Sequence, residues 1–252
     1  MLKNRVIPVL LIQNKGLIKT VKFKNPNYVG DPINAIRIFN EKEVDELIVL
    51  DIDASKNNKE PDYDLISEFA GECFMPLCYG GGVRTLKQAQ KIFSLGIEKV
   101  CIQSSALEDI KFVNEMSKKF GSQSIVVSVD IKKNWKGQYC LYSSKDNKIT
   151  KKSWSEQIDK SIKNGAGEII LNSVDRDGTL QGMDIKLISN ASRKIKVPFI
   201  ALGGASSLND IKLAMDNGAN AVGAGAFFVY QGKHRAVLIT YPKYSQLEEL
   251  LS

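Results

Sequence analysis

The sequence predicts an α/β fold, a single (β/α)8 TIM barrel, on three observations: a length of 252 residues, eight short apolar runs alternating with amphipathic stretches, and a self-similarity at a spacing of 122 residues. A barrel of this kind takes roughly 250 residues. With 43% hydrophobic and 25% charged residues the chain has the composition of an ordered globular domain.

The elements follow in order. Residues 5–11 form the first apolar run, and a long segment with Lys15, Lys19, Lys22 and Lys24 follows it. A loop of that length suggests a mobile cover for a ligand, or merely a solvated basic loop. An amphipathic stretch at 31–44 leads to the second run, 46–51, and the third, 75–79. Helical periodicity at 85–95 then precedes the fourth run, 99–103, and a helix at 109–119 precedes the fifth, 125–130. A helix at 154–164 leads to the sixth run, 168–172; the seventh, 197–202, is followed by a helix at 209–217 and the eighth, 219–224. Continuous apolar runs between helices read as parallel strands buried on both faces.

The self-similarity pairs Gly81-Gly82 with Gly203-Gly204, Leu86 with Leu208, Gly96 with Gly218, Val100 with Val222, Glu46 with Glu168 and Asp53 with Asp175, all 122 residues apart. The expected organisation is therefore two fused half-barrels, about 1–122 and 123–252, within one domain.

Active sites of such barrels lie at the C-terminal ends of the strands. The repeated glycines fall there: Gly80-Gly81-Gly82 and Gln103-Ser104-Ser105 in one half, Gly203-Gly204 and Ala224-Gly225-Ala226 in the other. Glycine lets a backbone approach closely, and N–H groups at helix starts attract phosphate, so two twin sites suit a ligand with phosphate at both ends. Tight turns alone would also use these glycines. The strand-end carboxylates are Asp51, Asp53, Asp130, Asp175 and Asp177, and Asp130, which ends its strand, is the first candidate for an acid or base. Its counterpart in the first half is Leu11, which exchanges no proton.

The strand starts carry Arg5, Glu46, Lys99 and Glu168, two of each sign. Charges at the foot of an apolar barrel are costly unless paired, so they form either a salt-bridged plug or a polar gate to an axial passage. The net charge of +7 favours anionic partners, but the lysines are dispersed, which points to small phosphates rather than nucleic acid. No apolar run is long enough for a membrane span, and a cytoplasmic protein is expected. Cys73, Cys78, Cys101 and Cys140 lack the spacing of a zinc or disulfide framework and read as buried thiols. The single histidine, His234, lies in a basic stretch without an acidic or serine neighbour that would suit a triad or metal site. No metal or organic cofactor is expected.

These motifs resemble the cyclase subunit of imidazole glycerol phosphate synthase. The resemblance runs from about residue 5 to 230 and is carried by Arg5-Val6-Ile7-Pro8, Gly30-Asp31-Pro32, Leu50-Asp51-Ile52, Gly80-Gly81-Gly82, Phe120-Gly121-Ser122-Gln123, Gly165-Ala166-Gly167-Glu168-Ile169 and Asp175-Arg176-Asp177-Gly178-Thr179. It implies a barrel that receives ammonia from a class I glutaminase at its bottom face and uses it to split and cyclise a bis-phosphorylated ribonucleotide. It implies that Arg5, Glu46, Lys99 and Glu168 are the ammonia gate, and that Glu98 stands where an aspartate signals to the glutaminase. It implies catalytic or active-site roles for Asp130, Lys19, Asp51 and Asp177, and phosphate contacts from Gly82 and Ser104 on one side and Gly178, Gly204 and Gly225 on the other.

The departures from the family pattern gather at the mouth. Leu11 replaces a catalytic aspartate, Gln103 an asparagine, Asn172 a threonine and Ala226 a phosphate-binding serine. General acid–base catalysis contributes typically 10²–10⁴-fold, so loss of one partner should nearly abolish cyclisation. Preserved ammonia delivery with altered acceptor chemistry resembles the paralogues that serve sugar amidation for surface polysaccharides with their own glutaminase and a further sugar amidotransferase. Two other readings stand beside it: a working histidine-pathway cyclase in which Asp51 substitutes, and a conduit that only activates the glutaminase.

Overall fold

The computed structural model describes residues 4–251. Its strands are β1 (Arg5–Gln13), β2 (Gly16–Val21), β3 (Lys24–Gly30), β4 (Leu47–Asp51), β5 (Leu77–Gly80), β6 (Lys99–Ile102), β7 (Ile125–Lys133), β8 (Tyr139–Ser143), β9 (Lys148–Ile149), β10 (Glu168–Ser173), β11 (Phe199–Leu202), β12 (Ala221–Ala224), β13 (Tyr230–Gln231) and β14 (Ala236–Val237). The helices are α1 (Pro32–Glu41), α2 (Tyr63–Glu72), α3 (Leu86–Ser94), α4 (Ser104–Glu108), α5 (Lys111–Phe120), α6 (Trp154–Lys163), α7 (Ile185–Ser192), α8 (Leu208–Asp216), α9 (Ala226–Val229) and α10 (Tyr244–Leu251). Strands β1, β4, β5, β6, β7, β10, β11 and β12 pair in parallel, in that order, and β12 returns to β1 to close an eight-stranded barrel. This is the (β/α)8 fold expected from the alternation of apolar runs.

Alternation along each strand divides the core in two. Ile7 and Val9, Ile48, Cys78, Cys101, Val126, Ile170, Ile200, Leu202 and Ala221 fill the barrel interior. The opposite faces pack against the helix ring, where α1 buries Ala35, Ile36 and Phe39, the three-and-four spacing of one helical face.

Local devices recur at the 122-residue spacing. Thr85 and Ser207 each cap a helix with a full capping box, through Gln88 and Asp210. At the strand starts, the Leu77 amide donates to Glu98 Oε2 (2.8 Å), and the Phe199 amide to Asn220 Oδ1 (3.0 Å). The short helices α4 and α9 begin without any side-chain cap.

Three features depart from the sequence expectations. The lysine-rich segment after β1 is not a loop: β2 and β3 extend β1 as an antiparallel ribbon, and Lys19 is buried in it rather than free to close over a ligand. A second ribbon, β8–β9, continues β7 in the same way. Helices α2 and α7, by contrast, fill the intervals between β4 and β5 and between β10 and β11 as the alternation implies, with Asp62 and Asp184 capping their starts. Cys78 and Cys101 are buried, as expected, but Cys73 and Cys140 are only partly so.

Replacing Ser207 by alanine removes a hydroxyl that satisfies the Asp210 amide and should cost about 1 kcal/mol. Urea denaturation of the variant checks this, and an unchanged midpoint would show that the cap carries no weight.

Candidate active site at the barrel mouth

At the C-terminal ends of the barrel strands lies a funnel with a cavity volume of about 150 Å³. Lys19, Asp51, Gly82, Ser104, Asp130, Asp177 and Gly225 all line it, with Leu11, Gln103, Ser128, Ser144 and Asn172. Gly178 and Gly204 line an adjoining cleft that shares Asp177, Leu202, Gly225 and Ala226 with the funnel. The two ribbons meet at its rim, where Phe23 and Tyr142 stack with centroids 6.1 Å apart. Lys22 and Phe23, the residues turning β2 into β3, both hold positive φ (53° and 62°). That conformation twists correctly for a two-residue hairpin but is strained for side chains of this size.

Asp130 is the most deeply set acid. Alternation puts Ser128 on its own face of β7, and pairing of β7 with β10 puts Asn172 opposite it. The Gln103 amide nitrogen donates to Asp130 Oδ2, Ser128 Oγ donates to Oδ1 (3.3 Å), and Ser144 Oγ fixes Gln103 from behind by donating to its Oε1 (2.6 Å). Burial outweighs these bonds and, with Asp177 adding repulsion, pushes the Asp130 carboxyl up to about 7. Burial raises Asp177 to about 6 against the opposing pull of Lys19. Burial also lowers the Lys19 ammonium to about 8, although Asp177 favours its charge. Lys19 Nζ donates to the Val9 carbonyl (2.7 Å). Three groups at one mouth thus exchange protons between pH 6 and 8.

Asp51 is placed differently. Its Oδ1 accepts from the Asp53 and Ala54 amides (2.9 and 3.0 Å), shaping the turn after β4. Burial nonetheless raises its carboxyl above the usual range.

The candidate phosphate glycines have structural work as well. A Cβ on Gly178 would lie 1.9 Å from the Thr20 carbonyl oxygen, so only glycine lets β2 cross that turn. A Cβ on Gly225 would lie 2.8 Å from Lys19 Nζ, so this glycine makes room for the lysine. The Gly82 amide donates to Ser55 Oγ at 3.3 Å, a long bond. Ser104 begins α4, and Gly225 immediately precedes α9, both helices that start without a side-chain cap.

At the opposite end, Arg5, Glu46, Lys99 and Glu168 close into a ring of alternating charge. Arg5 spans Glu46 and Glu168, and Lys99 Nζ reaches the same two carboxylates at 2.7 and 2.9 Å. Both glutamates are nearly inaccessible, at 2% and 4% exposure. Burial alone would lower the two cations, but the carboxylates outweigh it and raise both above their ordinary values. Glu98 stands beside the ring, exposed, with one carboxylate oxygen holding the start of β5.

Ser128 and Ser144 were not singled out in the sequence. Ser128 was within reach, since it lies two residues before Asp130 on an alternating strand. Ser144 was not, because nothing in its polar segment signals that the ribbon folds back over Gln103. Among the described residues there is no cluster of metal-ligating side chains, and no helix is long and apolar enough to cross a membrane.

A parallel eight-stranded barrel with a buried titrating acid at its mouth and a ring of charge at its foot defines a barrel enzyme. The chain belongs to the histidine biosynthesis protein family, whose model matches residues 5–235, and within it to the imidazole glycerol phosphate synthase cyclase subunits. It is 54% identical over 252 residues to a Pseudomonas aeruginosa protein provisionally named imidazole glycerol phosphate synthase subunit hisF2, covering 98% of this chain and 99% of that one. A Leptospira borgpetersenii protein, provisionally named subunit HisF of the same synthase, is 50% identical over 252 residues, covering 99% of each chain. Streptomyces coelicolor subunit HisF is 36% identical over 224 residues, covering 89% of each. The larger identities fall on provisionally named relatives, as for a divergent paralogue.

The pH dependence of stability follows from Asp130. A carboxyl raised from 3.8 to about 7 binds more protons folded than unfolded, so its contribution is full below pH 4 and is lost as pH rises through 7. Between pH 5 and 8 the wild type should lose on the order of 2–3 kcal/mol from this group, at about 1.4 kcal/mol per unit, and Asp130→Asn should flatten the decline. Urea melts of both proteins at pH 5, 6.5 and 8 test it. Parallel curves would refute a raised Asp130.

Proposed function

We propose that this barrel is the synthase subunit of a cytoplasmic glutamine-dependent amidotransferase, passing ammonia from a class I glutaminase to an acceptor other than the histidine-pathway nucleotide. The acceptor is a phosphorylated or nucleotide-linked compound in sugar amidation for surface polysaccharide, with a further sugar amidotransferase as third component. The observation that carries the reading is Leu11. It lies on the funnel wall packed beside Leu50, so the mouth pairs one buried acid with an apolar side chain. A two-carboxylate cyclisation lacks a proton carrier there, whereas transfer needing one acid or base does not.

In this reading ammonia enters at the foot of the barrel, where the ring of Arg5, Glu46, Lys99 and Glu168 is the gate and the exposed Glu98 faces the glutaminase. An uncharged ammonia molecule crosses the apolar interior at little electrostatic cost once the ring parts; an ammonium ion does not. At the mouth Asp130, half-protonated near neutrality, takes or gives the proton, with Lys19, Asp51 and Asp177 around the acceptor. Phosphate rests at Gly82 and Ser104 on one side and at Gly178, Gly204 and Gly225 on the other. The twin uncapped helix starts and the recurring caps support this arrangement and its origin in two half-barrels, 1–122 and 123–252.

A second reading, a working nucleotide cyclase, is favoured by Asp51, whose raised carboxyl also faces the funnel. Assay of the barrel with its glutaminase, glutamine and the bis-phosphorylated ribonucleotide separates the two. No cyclised product is expected, and Leu11→Asp should raise turnover. Turnover equal to that of the Streptomyces coelicolor subunit would sink the proposal.

Two further outcomes are expected of the complete system supplied with ¹⁵N-amide glutamine. Lys99→Leu should lower transfer from glutamine at least tenfold while sparing transfer from added ammonium salt. Asp130→Ala should lower both, by about 10²-fold or more; full activity of Asp130→Ala would leave only a conduit.

A further inference from the structure

We propose that Asn172 selects the ligand of the mouth by accepting a hydrogen bond from a hydroxyl next to the ligand's phosphate, so that the funnel takes polyol-like phosphates in preference to alkyl ones. This rests on the phosphate reading of the glycine loops given above.

Among the described residues, Asn172 Oδ1 is the one buried side-chain nitrogen or oxygen without a hydrogen-bond partner in the protein. The residue is 5% exposed and lines the funnel. Buried amide oxygens are rarely left this way except where a ligand or water completes them. Asn172 sits opposite Asp130 in the β7–β10 register, and its side-chain amide favours the charged form of that carboxylate, as an N–H turned toward it does. Turning the amide over would face two acceptors toward each other.

Asn172 Oδ1 lies toward β11, where a Cβ on Gly203 would come within 3.1 Å of it. Gly203 opens the second glycine cluster, directly before Gly204. The nearby protein donors serve other acceptors: Lys19 Nζ donates to the Val9 carbonyl, and Gln103 Nε2 to Asp130 and the Tyr142 carbonyl. A ligand anchored by its phosphate at Gly204 and Gly225 brings its first carbon atoms past Gly203, within reach of Oδ1.

A carbonyl oxygen only accepts. It welcomes an O–H, leaves a methylene unanswered and repels a phosphate oxygen. The order along the ligand follows: anion at the glycine loop, hydroxyl at Asn172, reacting carbon toward Asp130. Asn172 is thus a specificity residue that touches the ligand beside the acid.

Isothermal titration of the whole chain with glycerol 3-phosphate, propyl phosphate and inorganic phosphate tests this. The wild type should bind glycerol 3-phosphate about tenfold more tightly than propyl phosphate, which has the same carbon count and no hydroxyl. Asn172→Leu should narrow that ratio to about twofold and leave inorganic phosphate binding unchanged. If the variant does not fold, the wild-type ratio alone decides. Equal wild-type binding of the two esters, or a preference that survives Asn172→Leu, overturns the role of Asn172 and leaves the phosphate site standing. Binding of none of the three overturns the phosphate reading and this proposal together.

Discussion

Closure of eight parallel strands governs everything else in this molecule. Once β12 meets β1, every second side chain of each strand must point to the axis. Residues chosen by alternation then become columns: Val126, Ser128 and Asp130 up β7, and Glu168, Ile170 and Asn172 up β10. The β10 column is polar at both ends and apolar between, and the β7 column starts apolar at Val126 and turns polar toward the mouth. Polarity is therefore concentrated at the two ends, where the charges gain partners or solvent, and the middle stays dry.

That division explains the electrostatics of both ends. At the foot, four charges neutralise one another in a closed ring, and Arg5 and Lys99 keep their protons more firmly than in water despite burial. At the mouth the buried acids are less well paired. Asp130 meets amide and hydroxyl donors rather than a cation, so desolvation wins and its titration moves to neutrality. The same burial acts on both ends, and the presence of an opposite charge decides the outcome.

Much of the barrel was legible because its strands are buried on both faces and read as unbroken apolar runs, such as Val6 to Leu11 and Leu47 to Leu50. The mouth was legible where a motif marked it, as at Asp130, Asp177 and the glycine pairs. It was not legible where the information is three-dimensional. Lys19 looks like an exposed loop lysine in sequence, and only the pairing of β2 with β1 and β3 buries it. Gly225 suggested phosphate binding from its type and position and Gly178 from the family motif, yet each also answers a close approach, by Lys19 and by Thr20, that no local pattern encodes. Asn172 differed from the family by one residue, and its free oxygen emerges only from the register with Asp130.

The chain end adds a constraint of another kind. Beyond β12, the segment after β13–β14 runs back along the outside of the barrel, Phe228 stacks on Tyr241, and the Tyr241 hydroxyl donates to the Val6 carbonyl at 2.8 Å. The first strand is thus clasped by residues more than 200 positions further along the chain. During synthesis β1 has β4 on one side and an open hydrogen-bonding edge on the other until residues 221–224 leave the ribosome. The Arg5–Pro8 edge, left open while some 200 further residues are made, invites pairing with other chains. Yield in the cell therefore depends on how well that edge is shielded while the polypeptide is still growing.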